Sequence, residues 1–380
     1  MNIAEFLTFF HPCRFRYCSK LSVMNATHSW PAILGRLLDR YDLDRASASW
    51  AMQQIMSGEA TEGQMGAFMM ALKAKGESVD ELAGLVDVML ANSLELRTGN
   101  DALDIVGTGG DMIGTVNISS MASILVSASG IPVMKHGSRS ASGKTGSSEM
   151  LEALGVRLDL TADQVVEVFD QTNITFFFAP VFHPAMRFVG PVRKQLGVPT
   201  TFNLLGPLAN PAQPIATSLG VANATAAPKL AAELAARGRT GLVFRGNDGL
   251  DELSTVTESR IWQVSGGVVE EFDLDPRKFG MDFVNVDQLV GGDAEANAET
   301  ARQLFAGDTR GNLGAIRDIV VLNAAAGVVA YELAKDASRV DVDLDERFEN
   351  SIERVSAAID SGAAANKISE WVEATQAFTA

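Results

Sequence analysis

The chain has 380 residues, of which 47% are hydrophobic and 21% charged, with 31 Lys and Arg against 47 Asp and Glu for a formal net charge of −16. That length suits one large domain with a smaller one. The acidic balance excludes the basic field of a nucleic-acid binder, and no uninterrupted apolar run approaches the roughly 20 residues of a membrane helix.

Residues 1–23 are basic and aromatic, with Arg14, Arg16 and Lys20 against Glu5 among Phe9, Phe10, Phe15 and Tyr17. They lack the apolar core and small-residue cleavage site of a secretory signal. They are expected to be a dispensable, poorly ordered extension before a functional start at Met24. Both cysteines, Cys13 and Cys18, fall in this stretch. The body therefore has no internal disulfide and no thiol nucleophile, which suits a reducing cytoplasm. His11 and His28 are also near the start, so only His136 and His183 serve the body. That scarcity argues against most zinc sites and for a hard, oxygen-ligated cation, Mg²⁺ first.

Residues 24–98 are expected to form a small all-α domain. Apolar residues recur at helical spacing over 31–40, 44–57, 62–75 and 79–92. Thr61 with Gln64 and Ser78 with Glu81 fit capping boxes, and Gly58 and Gly76 stand where helices stop. Met65, Phe68, Met69 and Leu72 are expected in a core or a subunit interface rather than on a binding surface.

From residue 99 to 380 the pattern becomes α/β, a larger domain with a mostly parallel sheet flanked by helices. Strands are predicted at 103–106, 131–135, 174–179, 215–222 and 240–245, then two more within 254–273 joined at Gly266-Gly267. Helices are predicted at 118–129, 147–155, 163–171 and 225–237, and later at 295–306, 313–335, 345–361 and 365–377. Part of 183–210 is expected to pack on the helical domain or form the hinge.

The first predicted strand ends in Gly107-Thr108-Gly109-Gly110-Asp111. Thr115-Val116-Asn117-Ile118-Ser119-Ser120 then leads into a helix. The second strand ends in a loop containing Lys135, His136, Gly137, Ser138, Arg139, Ser142 and Gly143, with Ser147 opening the next helix. Glycines let backbone N–H groups converge, and a helix start adds partial positive charge, so such loops hold phosphate oxygens. Ordinary α/β turns are the alternative, but two such loops on consecutive strands, with Lys135 and Arg139, favour a polyanionic ligand. Gly143-Lys144-Thr145 is a decoy: a nucleotide-triphosphate loop has four residues between its glycines, and here there are five after Gly137.

Asp251 and Glu252 follow the strand predicted at 240–245, where two carboxylates at the mouth of a parallel sheet suit Mg²⁺ held against a phosphorylated substrate. A solvated acidic turn would look the same. A single helix is predicted from His183-Pro184 onward, carrying Arg187, Arg193 and Lys194. One of the two arginines could grip a planar carboxylate, or both could be a solvated basic face. A rigid, loop-like connection is expected over 201–211.

Taken in order, these motifs resemble the anthranilate phosphoribosyltransferase family: G-T-G-G-D at 107–111, N-I-S-S at 117–120, K-H-G at 135–137 with its serine- and glycine-rich tail, the H-P…V-R segment at 183–193, N-L-L-G-P-L-A-N-P at 203–211 and D-E after G-L at 249–252. The resemblance covers essentially everything after Met24. It implies transfer of a phosphoribosyl group from phosphoribosyl pyrophosphate to anthranilate, a homodimer formed through the helical domain, and no nucleic-acid or membrane partner. It further implies donor contacts from Gly107, Gly109, Gly110, Asp111, Thr115, Asn117, Ile118, Ser119 and Ser120, completed by residues 135–143 and Ser147. Magnesium contacts would come from Ser119, Asp251 and Glu252, acceptor placement from Arg193, and a possible general base from His136. Three departures bear on the site, one of them the stretch Ile113-Gly114 that continues from Met112. Met112 stands where the family usually has glycine, and Ser138 replaces an asparagine that in the family contacts anthranilate. A same-fold transferase with another aromatic acceptor, or a pyrimidine nucleoside phosphorylase, is the alternative function.

Overall fold

Helices α1 (Trp30–Leu38), α2 (Arg45–Met56), α3 (Glu62–Lys75) and α4 (Val79–Ala91) open the computed structural model, which describes residues 28–139 and 145–378. The extension 1–23, together with Ser142 and Gly143, lies outside the described residues. Both capping boxes form: Thr61 Oγ1 accepts from Gln64 N at 3.3 Å, and Ser78 Oγ from Glu81 N at 3.2 Å. Glu81 does more than cap. Fully buried, it accepts from Ser78 N (2.7 Å), Leu43 N (2.9 Å) and the Lys75 ammonium (2.9 Å), tying three segments together. Met65, Phe68, Met69 and Leu72 are core residues.

The rest is a seven-stranded sheet in the order β3-β2-β1-β4-β5-β6-β7. Its strands are β1 (Leu103–Gly107), β2 (Val133–Gly137), β3 (Ile174–Phe178), β4 (Ala216–Gly220), β5 (Thr240–Gly246), β6 (Ser259–Ser265) and β7 (Val268–Leu274). The first five are parallel and the last two form an antiparallel hairpin over Gly266-Gly267. That hairpin begins at Ser259 rather than near 254, because Ser254 is used in a turn whose hydroxyl donates to Asp248 (2.6 Å). The chain order runs outward from β1 to β3 and then returns to β4 on the other side of β1. The crevice between the carboxyl ends of β1 and β4 is thus the switch point where α/β sheets bind ligands.

Side-chain alternation assigns the two faces of the sheet to two cores. Ile105, Leu242, Phe244 and Ile261 pack with α5 (Ile118–Ala128), α12 (Ala294–Phe305), α13 (Leu313–Lys335), α14 (Leu344–Asp360) and α15 (Ala363–Gln376). Val106, Leu219, Val243, Trp262 and Val264 face the other way, joining α11 (Ala227–Ala236), residues of 189–209 and the four N-terminal helices. Helix α13 is the single described helix long and apolar enough to cross a membrane, yet most of it is buried in the first core.

Two predicted elements differ in form. Residues 183–196 are a 3-10 turn (Pro184–Phe188) and a separate α9 (Gly190–Leu196), because Pro191 cannot continue the preceding turn. The stretch expected as a loop contains α10 (Phe202–Leu205) and a 3-10 turn over Gly206–Leu208. The remaining helices of the larger part are α6 (Ser147–Leu154), α7 (Ala162–Thr172) and the short α8 (Ala179–Phe182).

Candidate active site

The first loop leaves β1 at Gly107 and turns through left-handed backbone at Gly109 (φ +66°), Gly110 (+89°) and Met112 (+62°). Glycine adopts this region freely, but methionine does so at a cost. The Met112 side chain is 78% exposed, so no packing offsets that cost. The second loop reaches Asn117, at the N-cap position of α5 but with no side-chain cap bond, and the third resumes at Thr145 and enters α6 through Ser147. Asn117 Oδ1 accepts from Asn297 (2.9 Å), and its Nδ2 donates to Thr145 O (3.3 Å). Thr145 Oγ1 and Asn297 also bond Gly292 from either side, so one clasp gathers both loops against the start of α12.

Asp251 and Glu252 are buried, which rules out the solvated turn. The turn carrying them runs between the ends of β1 and β4. A Cβ on Gly220 would lie 1.7 Å from the Asp251 carbonyl oxygen, and one on Gly107 2.3 Å from Asp251 Oδ2. The same Oδ2 accepts from Gly109 N at 2.7 Å, so the first loop is hung on this carboxylate. Burial and the adjacent Asp111, whose carboxyl hydrogen-bonds to it, push Asp251 up to about 7. Burial and Asp251 push Glu252 well above its ordinary range, while the Ser119 N–H bonds it.

Lys135 is also buried. It donates to Ile105 O and to Ser119 Oγ (3.3 Å), and burial draws it down to about 8 against the pull of Asp104, Glu252 and Asp251. It therefore ties the end of β1 to the head of α5 beneath the loops. Asp104, raised to about 6 by burial, binds His136 N (3.1 Å) and Asn210 Nδ2 (2.9 Å). Asn210 also donates to Met134 O (2.8 Å), fastening the 202–211 segment beneath the site.

His136 and His183 meet edge to face at 5.1 Å. His136 Nδ1 lies 3.0 Å from Gly206 O and His183 Nε2 2.9 Å from Ala209 O. A carbonyl only accepts, so those nitrogens carry the protons, leaving His136 Nε2 as a bare acceptor without a partner among the described residues. Burial, with His183 beside it, lowers His136 to about 3, so it is neutral at physiological pH.

Arg193 is half-buried on α9, its guanidinium bonds no described residue, and burial alone lowers its pKa. A guanidinium in that state is ready for an anion. Arg187 is exposed and stacks on Phe188. Three further expected contacts are placed differently. Ile118 points into the core, so only its backbone can reach a ligand. Arg139 is exposed and paired with Glu152 at 2.9 Å. Ser138 is exposed, its carbonyl accepting from Ser147 Oγ (3.3 Å). Gly110 and Thr115 flank the first loop, Thr115 bridging to Val290, and Ser120 Oγ is buried without a partner among the described residues.

Asp251 and Glu252 are buried beside Asp111, and burial with the crowding of negative charge raises all three carboxyls, a state that a hard divalent cation would relieve. No group of three or more acids, histidines or cysteines is arranged to hold a metal by itself among the described residues. A cation here would complete its shell with water and ligand phosphates. Sequence inspection missed Asp104, Asn210, Asn297 and Asn323. The available signal was a polar residue interrupting an apolar run, as in Leu103-Asp104-Ile105-Val106 and Val321-Leu322-Asn323-Ala324.

Comparison with known proteins matches residues 31–93 to the glycosyl transferase family helical bundle domain and 99–365 to the glycosyl transferase family a/b domain. The anthranilate phosphoribosyltransferase of Leifsonia xyli is 52% identical over 353 residues, covering 93% of this chain and 100% of that protein. The crystal structure of the Thermus thermophilus anthranilate phosphoribosyltransferase superposes with a TM-score of 0.81 at 36% identity, covering 90% and 99% of the two chains. The Saccharomyces cerevisiae enzyme in complex with PRPP and Mg shares the fold at a TM-score of 0.79 and 24% identity, over 92% of this chain and 98% of that one.

Proposed function

Because the chain belongs to the anthranilate phosphoribosyltransferase family, we propose that it transfers the phosphoribosyl group of phosphoribosyl pyrophosphate to the amine of anthranilate. The products are N-(5-phosphoribosyl)anthranilate and pyrophosphate, and the reaction serves tryptophan biosynthesis in the cytoplasm. The observation that carries this assignment is the buried Asp251–Glu252 turn wedged at the switch point with the first donor loop hung on it.

In the reaction the amine nitrogen bonds to the anomeric carbon of the ribose as the bond from that carbon to the pyrophosphate oxygen breaks. Negative charge grows on the leaving group. The N–H groups of Gly110 and Asp111, which bond no other described group, are left for it, and the head of α5 adds partial positive charge, while those of Thr108, Gly109, Ile118 and Ser120 are already held within the protein. Ser119, Asp251 and Glu252 would hold Mg²⁺, which supplies Lewis-acid stabilisation of the departing pyrophosphate. Lys135 holds Ser119 in place and adds positive charge below it. Arg193 takes the anthranilate carboxylate, fixing the amine over the ribose, where placement accounts for most of the rate. His136 stays neutral, its buried Nε2 an unpartnered acceptor beside the site, and the amine proton leaves with the pyrophosphate.

The chain also forms a homodimer through its helical domain. This is supported by Leu38 (74% exposed), Tyr41 (62%) and Met70 (39%) on and beside α1 and α3; light scattering should give twice the chain mass. For the activity, purified protein with Mg²⁺ and phosphoribosyl pyrophosphate should consume the fluorescence of anthranilate. A folded sample that leaves it unchanged would overturn the assignment.

A further inference from the structure

Helix α13 is apolar through its middle, yet Asn323 sits there fully buried. Burying an unpaired amide costs several kcal/mol, so its partners reveal what it is for. Asn323 Oδ1 accepts from Leu253 N at 2.8 Å and its Nδ2 donates to Leu253 O at 2.9 Å, a two-point grip on one residue's backbone. A third bond, to Ile319 O at 2.8 Å, fixes the rotamer from within the helix. Leu253 directly follows Glu252. One helical turn beyond Asn323, a Cβ on Gly327 would lie 2.9 Å from Leu103 Cδ2, so α13 is pressed against β1 on the same face. The carboxylate turn is thus fixed at both ends, by Gly107 and Gly220 against Asp251 and by Asn323 against Leu253.

We propose that Asn323 is the positioning residue for the Asp251 and Glu252 carboxylates, acting through the Leu253 backbone to set where they meet a divalent cation. The proposal rests on the assignment of those two carboxylates as metal contacts. Outer partners that orient metal ligands commonly change metal affinity about 10- to 100-fold when removed.

The test uses the full chain with phosphoribosyl pyrophosphate at fixed concentration and Mn²⁺ as the probe, protein-bound metal being read by paramagnetic resonance. Asn323→Leu removes the grip at similar volume, and Asn323→Ser is the milder variant should the first fail to fold. Val329→Ala destabilises α13 without touching the turn. We expect the Asn323 variants to raise the half-saturating Mn²⁺ concentration about tenfold, and Val329→Ala to lower Tm while leaving metal binding unchanged. If the Asn323 variants bind Mn²⁺ normally while Asp251→Asn with Glu252→Gln does not, the positioning role is wrong and the metal assignment stands. If none of these variants alters Mn²⁺ binding, the metal assignment falls and the positioning role with it.

Discussion

Replacing Gly220 with alanine asks how much room the carboxylate turn has. The new Cβ would lie 1.7 Å from the Asp251 carbonyl oxygen and 2.5 Å from its carbonyl carbon, whereas ordinary contact begins at 3.4 Å. Backbone on both sides must therefore separate by about 1.7 Å. Nothing flexible can absorb this, because the opposing atoms are main chain and Asp251 is already bonded to Gly109 N. A methyl forced into a packed interior costs about 1–3 kcal/mol of stability. Catalytic groups tolerate displacements of about 0.5 Å, and about 1 Å can cost about 100-fold in rate. Gly220→Ala should therefore lose about 100-fold or more in kcat/KM at saturating Mg²⁺, with a fall of about 1–3 kcal/mol in urea unfolding. Gly99→Ala, where a Cβ meets no atom within 4 Å, is the control and should behave as the unmodified chain. A Gly220→Ala protein with undiminished kcat/KM would refute the claim that the turn's position matters.

Asp251→Asn with Glu252→Gln should raise the half-saturating Mg²⁺ concentration at least about tenfold while preserving the circular-dichroism spectrum; an unchanged magnesium titration would contradict the metal assignment. Arg193→Ala removes a charge-assisted fork of about 1.5–3 kcal/mol per bond, so the KM for anthranilate should rise about 10-fold or more with little change for the donor. Equal losses for both substrates would refute that division. His136 has a folded pKa of about 3, below its unfolded value of about 6.5, so its contribution to stability is complete above 6.5 and disappears as pH falls through the window between them. In that window it should contribute about 1.4 kcal/mol per pH unit to the slope of urea-unfolding stability, His183 acting in the same direction. His136→Asn should remove about one proton's worth of slope as pH falls from about 6 towards about 4, and an identical slope would show that the ring is not held neutral. At position 112, with φ +62° and an exposed side chain, glycine should be at least as stable as alanine by calorimetry, reversing the usual order; alanine ahead by about 1 kcal/mol would mean the loop is not left-handed there.

The helices, the strands and the approximate position of the acid pair were legible because each rests on local pattern: 3.6- and 2-residue periodicity, capping boxes, and glycine at strand ends. Whether Asp251 and Glu252 were a ligand set or a solvated turn was not legible. That depended on their burial against Gly107 and Gly220, residues far away in sequence. The internal bonds of Lys135 were not legible for a related reason. Its place in a glycine-rich loop suggested phosphate, while the parallel register of β1 and β2 carries its ammonium under Ile105 and Ser119. The split was visible in the sequence at Pro191, whose missing N–H interrupts a helix run on from Pro184. The asparagines at 210, 297 and 323 are the hardest class, since a lone amide shows its purpose only through partners brought close by the fold.

The core shared between the N-terminal helices and one face of the sheet has a practical consequence. Val106, Leu219, Val243, Trp262 and Val264 share one apolar cluster with α11, which lies on β5, β6 and β7 and packs in turn against α4. Cutting the chain near residue 98 would uncover part of that apolar face and favour self-association. The catalytic half is therefore a poor candidate for separate production, and any fusion or split-protein strategy should keep residues 28–378 in one piece.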